Sequence, residues 1–103
     1  MTGDIWEKSM TILRLYQLEA PSGAAEALEA ALLQLAGQIG ALPGCASVKL
    51  MCDREAAETF LFLEEWESRA ACAEGSRLLD KAAFKPMMAA IGASPVMREL
   101  DLL

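Results

Sequence analysis

The chain of 103 residues contains no histidine and no asparagine. Without histidine it lacks the commonest general base near neutral pH and the commonest metal ligand. Cysteine is scarce: Cys45, Cys52 and Cys72 are odd in number and too widely spaced for a zinc site or a CxxC redox pair. They read as buried thiols of a protein in a reducing compartment. Positive charge is also scarce, with 9 Lys and Arg against 15 Asp and Glu and a net charge of −6. That balance excludes the basic footprint needed for nucleic acid or an anionic membrane. Met1 to Lys8 is not a basic segment leading into an apolar run, so no secretory signal is visible and a cytoplasmic location is expected. Ala30 to Val48 carries no charge, but it contains two glutamines and Pro43-Gly44, and its large apolar residues fall on one face. A membrane span would be apolar all round and would not enclose a turn.

What is abundant is apolar side chain, at 54% of the chain, against about 45–50% in ordinary soluble domains. A chain of this length forms one domain and buries roughly 65% of its unfolded surface. The excess implies that a second chain covers part of it.

Residues 1–9 are mixed and polar and read as an arm; residues 10–103 read as the domain. Met10 to Leu18 is rich in apolar and β-branched residues and reads as a strand. Ile12, Arg14, Tyr16 and Leu18 share one face of it, Leu13 and Leu15 the other. Ala20-Pro21-Ser22-Gly23 stops the strand, with Ser22 placed to cap a helix. Leu28, Leu32, Leu35, Ile39 and Leu42 then step by four and three, the stripe of an amphipathic helix that Pro43-Gly44 ends.

Cys45 to Cys52 reads as a second strand, and the charged stretch 53–58 as its connection to a third, Thr59 to Trp66. In that third strand Phe60, Leu61, Phe62 and Leu63 are apolar on both faces, so both faces must be covered. Ser68 is placed to cap a helix that Gly75-Ser76 interrupts. Helix resumes after Asp80 and runs to Ile91, with a kink or restart expected at Pro86. Val96 to Leu102 alternates as a final strand.

The order strand, helix, strand, strand, helix, strand predicts an α+β, ferredoxin-like βαββαβ fold. Its four-stranded antiparallel sheet carries both helices on one face. A second copy is then expected to close the bare face.

Leu42-Pro43-Gly44-Cys45, the run Phe60-Leu61-Phe62-Leu63-Glu64-Glu65-Trp66-Glu67-Ser68 and the order of elements together resemble the antibiotic biosynthesis monooxygenase family. That family belongs to the dimeric α+β barrel superfamily. The resemblance covers residues 10–103 and implies a homodimer acting on a small aromatic molecule, with no cofactor and no metal. It implies that Trp66 matches the family tryptophan that lines the substrate cavity, and Glu64 the acid two before it. Many members place a histidine nine residues after that tryptophan, where this chain has Gly75. The histidine that holds iron in haem-degrading relatives is missing, and no Gly-rich phosphate loop suggests flavin.

Oxygenases of this family act on electron-rich phenols, anthrones or quinols that, once deprotonated, reduce O2 directly. Such chemistry needs an apolar pocket, an aromatic residue to orient the ring and a group that assists deprotonation. Phe60, Phe62, Glu64 and Trp66 share one strand face and could supply these. Glu64 among aromatics would act as base, while Tyr16 and Arg14 would bind a phenolate. Bland readings stand beside these: Trp66 as core or interface, Glu64 as a carboxylate paired with Arg14 or Lys49, Tyr16 as a strand aromatic, Arg14 as a rim residue, Met87, Met88 and Met97 as gap fillers. The functional reading is a cofactor-independent monooxygenase of an aromatic, anthrone or quinol. Its alternatives are a non-catalytic dimeric small-ligand-binding protein and a non-oxidative enzyme on the same scaffold.

Overall fold

The computed structural model describes residues 10–103, so the expected arm at 1–9 lies outside the described residues. The elements are β1 (Ile12–Glu19), α1 (Ala25–Gly40), β2 (Cys45–Asp53), β3 (Ala56–Trp66), α2 (Arg69–Leu78), a 3₁₀ turn (Lys81–Phe84), α3 (Lys85–Ala90) and β4 (Val96–Asp101). The strands form one antiparallel sheet in the order β2-β3-β1-β4. This is the ferredoxin-like α+β arrangement, and β1 and β3 hold its centre.

One sheet face packs against the helices. Leu28, Leu32, Leu35 and Ile39 of α1 are all buried, as the four-and-three stripe requires, and Leu42 packs beside them beyond the helix end. They meet Ile12 and Leu18 of β1 and Phe60, Phe62 and Trp66 of β3. Among the described residues no helix lies over the opposite face, where Leu13, Leu15, Leu61 and Leu63 are only half-buried and Val96 and Leu100 are exposed. Among the described residues no helix is long and apolar enough to cross a membrane.

The Pro43-Gly44 turn joins α1 to β2 under tight constraint. Gly44 has φ +85°, and a Cβ there would lie 2.7 Å from the Ala71 side chain of α2. Glycine is needed both for the left-handed backbone and for the close approach. The Gly44 carbonyl also accepts from the Glu67 amide at 2.9 Å, tying this turn to the end of β3.

Several local expectations are corrected. Ser22 does not cap α1: the cap position is Ala24, without a side-chain bond, and Ala24 N–H donates instead to the Pro21 carbonyl at 2.9 Å. The stretch 53–58 is not a loop but mostly strand. Only Arg54 and Glu55 turn, with Asp53 Oδ1 accepting from the Glu55 amide at 2.8 Å, and β3 begins at Ala56. A ladder irregularity between Cys52 and Asp53 absorbs the extra residues. Gly75-Ser76 does not interrupt α2, which runs through both to Leu78. Of the three thiols only Cys72 is buried; Cys45 is half-buried and Cys52 exposed.

Ser68 does cap α2, its Oγ accepting from the Ala71 amide at 3.0 Å. Asp80 caps the 3₁₀ turn, accepting from Ala82 at 2.9 Å. Helix restarts at Lys85, so that Pro86 sits in the first turn of α3, where its missing N–H costs nothing.

Candidate functional site

The β1–β3 ladder sets Tyr16 opposite Phe62, Arg14 opposite Glu64 and Ile12 opposite Trp66. Because alternate residues share a face, this register gathers all of them beneath the helices. Tyr16 and Phe62 meet edge to face, with centroids 6.2 Å apart and planes at 74°, a favoured aromatic geometry.

Above them lies a cavity of about 90 Å³, with Tyr16, Leu18, Phe62 and Glu64 as its floor. Leu32, Leu35 and Ile39 of α1 form one wall, and Phe84, Met87 and Pro95 close the other. The lining residues are apolar except for Glu64 and Tyr16, and nearly all of the surface they present to the cavity is apolar. A cavity of about 150 Å³ takes up benzene, so this one holds a single small ring only if Phe84 and Met87 give way.

Among the described residues Glu64 is the one charged side chain in the buried core, at 4% exposure. Its Oε1 accepts from Trp66 Nε1 at 2.8 Å. Burial pushes its proton affinity above the usual glutamate range, against the Trp66 hydrogen bond and the charge of Arg14, which both pull it down. Burial wins because a carboxylate loses more hydration than one donor and a nearby cation restore. The Tyr16 hydroxyl is raised to about 12, chiefly by burial and then by Glu64, with Arg14 opposing. Tyr16 is thus a hydrogen-bond donor at neutral pH and not a base.

Arg14 lies beside this floor without lining the cavity. Its guanidinium sits 5.8 Å from the Tyr16 ring centre, donates to Cys72 Sγ at 3.5 Å and lies 3.9 Å from Glu99 Oε2. Burial opposes its charge, but Tyr16 and Cys72 more than offset this, so it holds its proton more tightly than usual. Cys45 is shifted upward by burial and by Glu64 and stays a thiol. Among the described residues no three of Cys, Asp and Glu stand together as metal ligands do.

Of the six residues singled out from the sequence, Tyr16, Phe62 and Glu64 border the cavity. Trp66 is 1% exposed and lies behind Glu64, beneath α2, so it reaches the cavity only through that carboxyl. Phe60 faces another groove, with Leu33, Leu50 and Met51. Arg14 acts on the floor across Tyr16. Glu64 pairs with neither Arg14 nor Lys49 among the described ion pairs. Phe84 and Pro95 carry no mark of a site in the sequence, and Met87 reads there as a gap filler. Their only sequence signal is apolar character in a segment broken by Pro86 and Pro95.

Several solved structures share this fold. A Pseudomonas aeruginosa protein is 26% identical, with a TM-score of 0.78, covering 94% of this chain and 98% of that one. A candidate antibiotic biosynthesis monooxygenase from Caulobacter crescentus is 23% identical, with a TM-score of 0.81, covering 100% and 99%. SnoaB, a cofactor-independent oxygenase from Streptomyces nogalater, is 12% identical, with a TM-score of 0.73, covering 88% and 91%. No curated protein matches the chain. The sequence model of the antibiotic biosynthesis monooxygenases matches residues 11–77, which span β1 to α2 and stop short of Phe84, Met87 and Pro95. With the ferredoxin-like sheet and that match over most of its length, the chain belongs to the antibiotic biosynthesis monooxygenase family.

Proposed function

We propose that this protein is a cofactor-independent monooxygenase that uses O2 to oxidise a small electron-rich aromatic of the anthrone or quinol type. The observation that carries the proposal is Glu64: a buried carboxylate with raised proton affinity, on a residue that borders an apolar cavity. Such a group is matched to removing a weakly acidic proton near neutral pH. The shared fold of SnoaB supports the cofactor-free reading.

In an anthrone the acidic proton is on the methylene carbon between two rings. Glu64 takes it, and Tyr16, still protonated, donates to the developing oxyanion. The carbanion passes one electron to O2, and the substrate radical and superoxide join as a peroxide. Glu64 returns its proton, and the hydroperoxide loses water to leave a carbonyl. One methylene and one O2 become one carbonyl and one water. Trp66 fixes the orientation of the Glu64 carboxyl throughout.

We assign the bare sheet face to a second copy of the chain, giving a homodimer, and place the protein in the cytoplasm. The test is oxygen uptake with a panel of anthrones and naphthoquinols, wild type against Glu64→Gln. Substrate-dependent uptake lost in the variant supports the reading. Background uptake across the panel, with a panel compound still raising the melting temperature, replaces it with a non-catalytic ligand-binding protein.

A further inference from the structure

Gly75 stands in the middle of α2, where glycine weakens a helix. Its backbone does not need glycine, because its φ is not in the left-handed region. Space is what it provides. A Cβ at position 75 would lie 2.5 Å from Cζ3 and 2.7 Å from Cη2 of Trp66, and 3.3 Å from the Pro43 carbonyl oxygen. Gly37, in the last turn of α1, has nothing within 4 Å of the same added atom. The outer ring of Trp66 therefore occupies the volume that a side chain on α2 would fill. The other edge of the same indole carries Nε1, bonded to Glu64 at 2.8 Å.

We propose that Gly75 is a positioning residue for Glu64, acting through Trp66: only with no side chain at 75 can the indole seat against α2 and hold its N–H on the carboxylate. An indole pushed off α2 by one methyl group cannot keep a hydrogen bond of this length, because it is rigid and walled in on its other edges. The titratable and charged groups that interact with Glu64 from the surrounding elements are Arg14 and Tyr16 on β1 and Cys45 on β2, while Cys72 on α2 meets Arg14. α1 and α3 bring only apolar side chains to the cavity. Burial raises the proton affinity of Glu64, and the position of Trp66, its hydrogen-bond donor, governs how far that rise is pulled back. The consequence for turnover rests on Glu64 acting as the base in the function proposed above.

The test is a pH titration of the full-length protein with ¹³C-labelled glutamate carboxyls, the Glu64 signal being assigned with Glu64→Gln. Gly75→Ala and Trp66→Phe should each move the Glu64 titration upward by about one pH unit, as the loss of one hydrogen bond to a charged group implies. The double variant should move it no further than Trp66→Phe alone, and Gly37→Ala should leave it in place. A folded Gly75→Ala with an unmoved Glu64 titration, or a double variant whose shift is the sum of the two, overturns the proposal. Phenylalanine lacks the outer indole carbons. If Gly75→Ala alone does not fold, Gly75→Ala in the Trp66→Phe background should fold, and its failure there overturns the proposal by putting the constraint at Pro43. The titration needs no substrate, so it reads the role of Gly75 even if no oxygen is consumed.

Discussion

Arg14 and Glu64 stand directly opposite each other in the β1–β3 ladder, yet their charged groups take different partners. The carboxylate accepts from Trp66, while the guanidinium turns to Cys72 and Glu99. A direct ion pair would have held Glu64 firmly ionised. Left with one indole donor and a cation at longer range, it keeps an affinity for protons that an ordinary surface glutamate lacks.

Stability should record this. Between the ordinary glutamate value of about 4.3 and the higher one that burial imposes, the folded chain binds a proton that the unfolded chain has released. Stability therefore falls as pH rises through that window and recovers as pH falls back through it. Glu64→Gln keeps an acceptor for Trp66 but cannot ionise, so it should abolish this slope and unfold at higher urea than wild type at pH 8. Urea midpoints from pH 4.5 to 8 check it. A variant less stable than wild type at pH 8 would mean that Glu64 is held ionised by a structural partner, and a slope that persists in the variant would place its source in another group.

Tyr16→Phe should keep the edge-to-face contact with Phe62 and remove only the donor. Turnover should fall by about a hundredfold, the scale of one lost oxyanion donor, with the melting temperature nearly unchanged. Because Tyr16 titrates at about 12 instead of 10, the folded chain also holds its proton longer than the unfolded one. Wild-type stability should then decline as pH rises from 10 to 12, and the decline should be shallower in Tyr16→Phe. Steady-state oxygen uptake and alkaline melts measure both.

Leu15 and Leu63 face each other on the uncovered side of the sheet. Leu63→Lys places a charge where a second copy would pack, and an unpaired charge in an apolar contact costs several kcal/mol. Sedimentation velocity at micromolar concentration should show a dimer for wild type and a monomer for the variant. A wild-type monomer would remove the proposed assembly.

Leu28 is 0% exposed at the centre of the α1 stripe. Leu28→Ala should cost about 3–5 kcal/mol through lost burial and a residual cavity. Chemical denaturation gives the value; a loss under about 1 kcal/mol would mean that α1 repacks freely, against the dense packing expected of a core.

Much of this fold is legible along the chain because its signals are local and redundant. The spacing of Leu28, Leu32, Leu35 and Ile39, the Pro43-Gly44 stop and the Ser68 cap each need only a few neighbouring residues to be read. The double-sided run Phe60 to Leu63 marks the strand whose second face no helix among the described residues covers. The misreadings are equally physical. Ser22 has the right chemistry for a cap, but Gly23 and the Pro21 carbonyl turn the chain first. Asp53 to Glu58 has the polarity of a loop, yet Asp53 pairs with Ala56 across the β2–β3 hairpin and β3 starts at once, at an end of the sheet exposed enough to tolerate polar residues.

The candidate site was half visible. Period-two alternation places Tyr16, Phe62 and Glu64 on strand faces, but which face of β1 meets which face of β3 depends on register, a long-range pairing. Phe84, Met87 and Pro95 close the cavity from a segment more than thirty positions along the chain from α1, and nothing in their own spacing shows it.

Gly75 marks the boundary between the two kinds of knowledge. Residue order alone determined the main helices and strands, their sequence and the chain's apolar surplus, because hydrophobic period and turn chemistry act over a few residues. Folding in three dimensions decided that this glycine is a gap filled by an aromatic ring, that the ring grips a carboxylate and that the carboxylate borders a cavity. Those outcomes depend on volumes meeting across distant parts of the chain, and side-chain volume has no address until the backbone has closed.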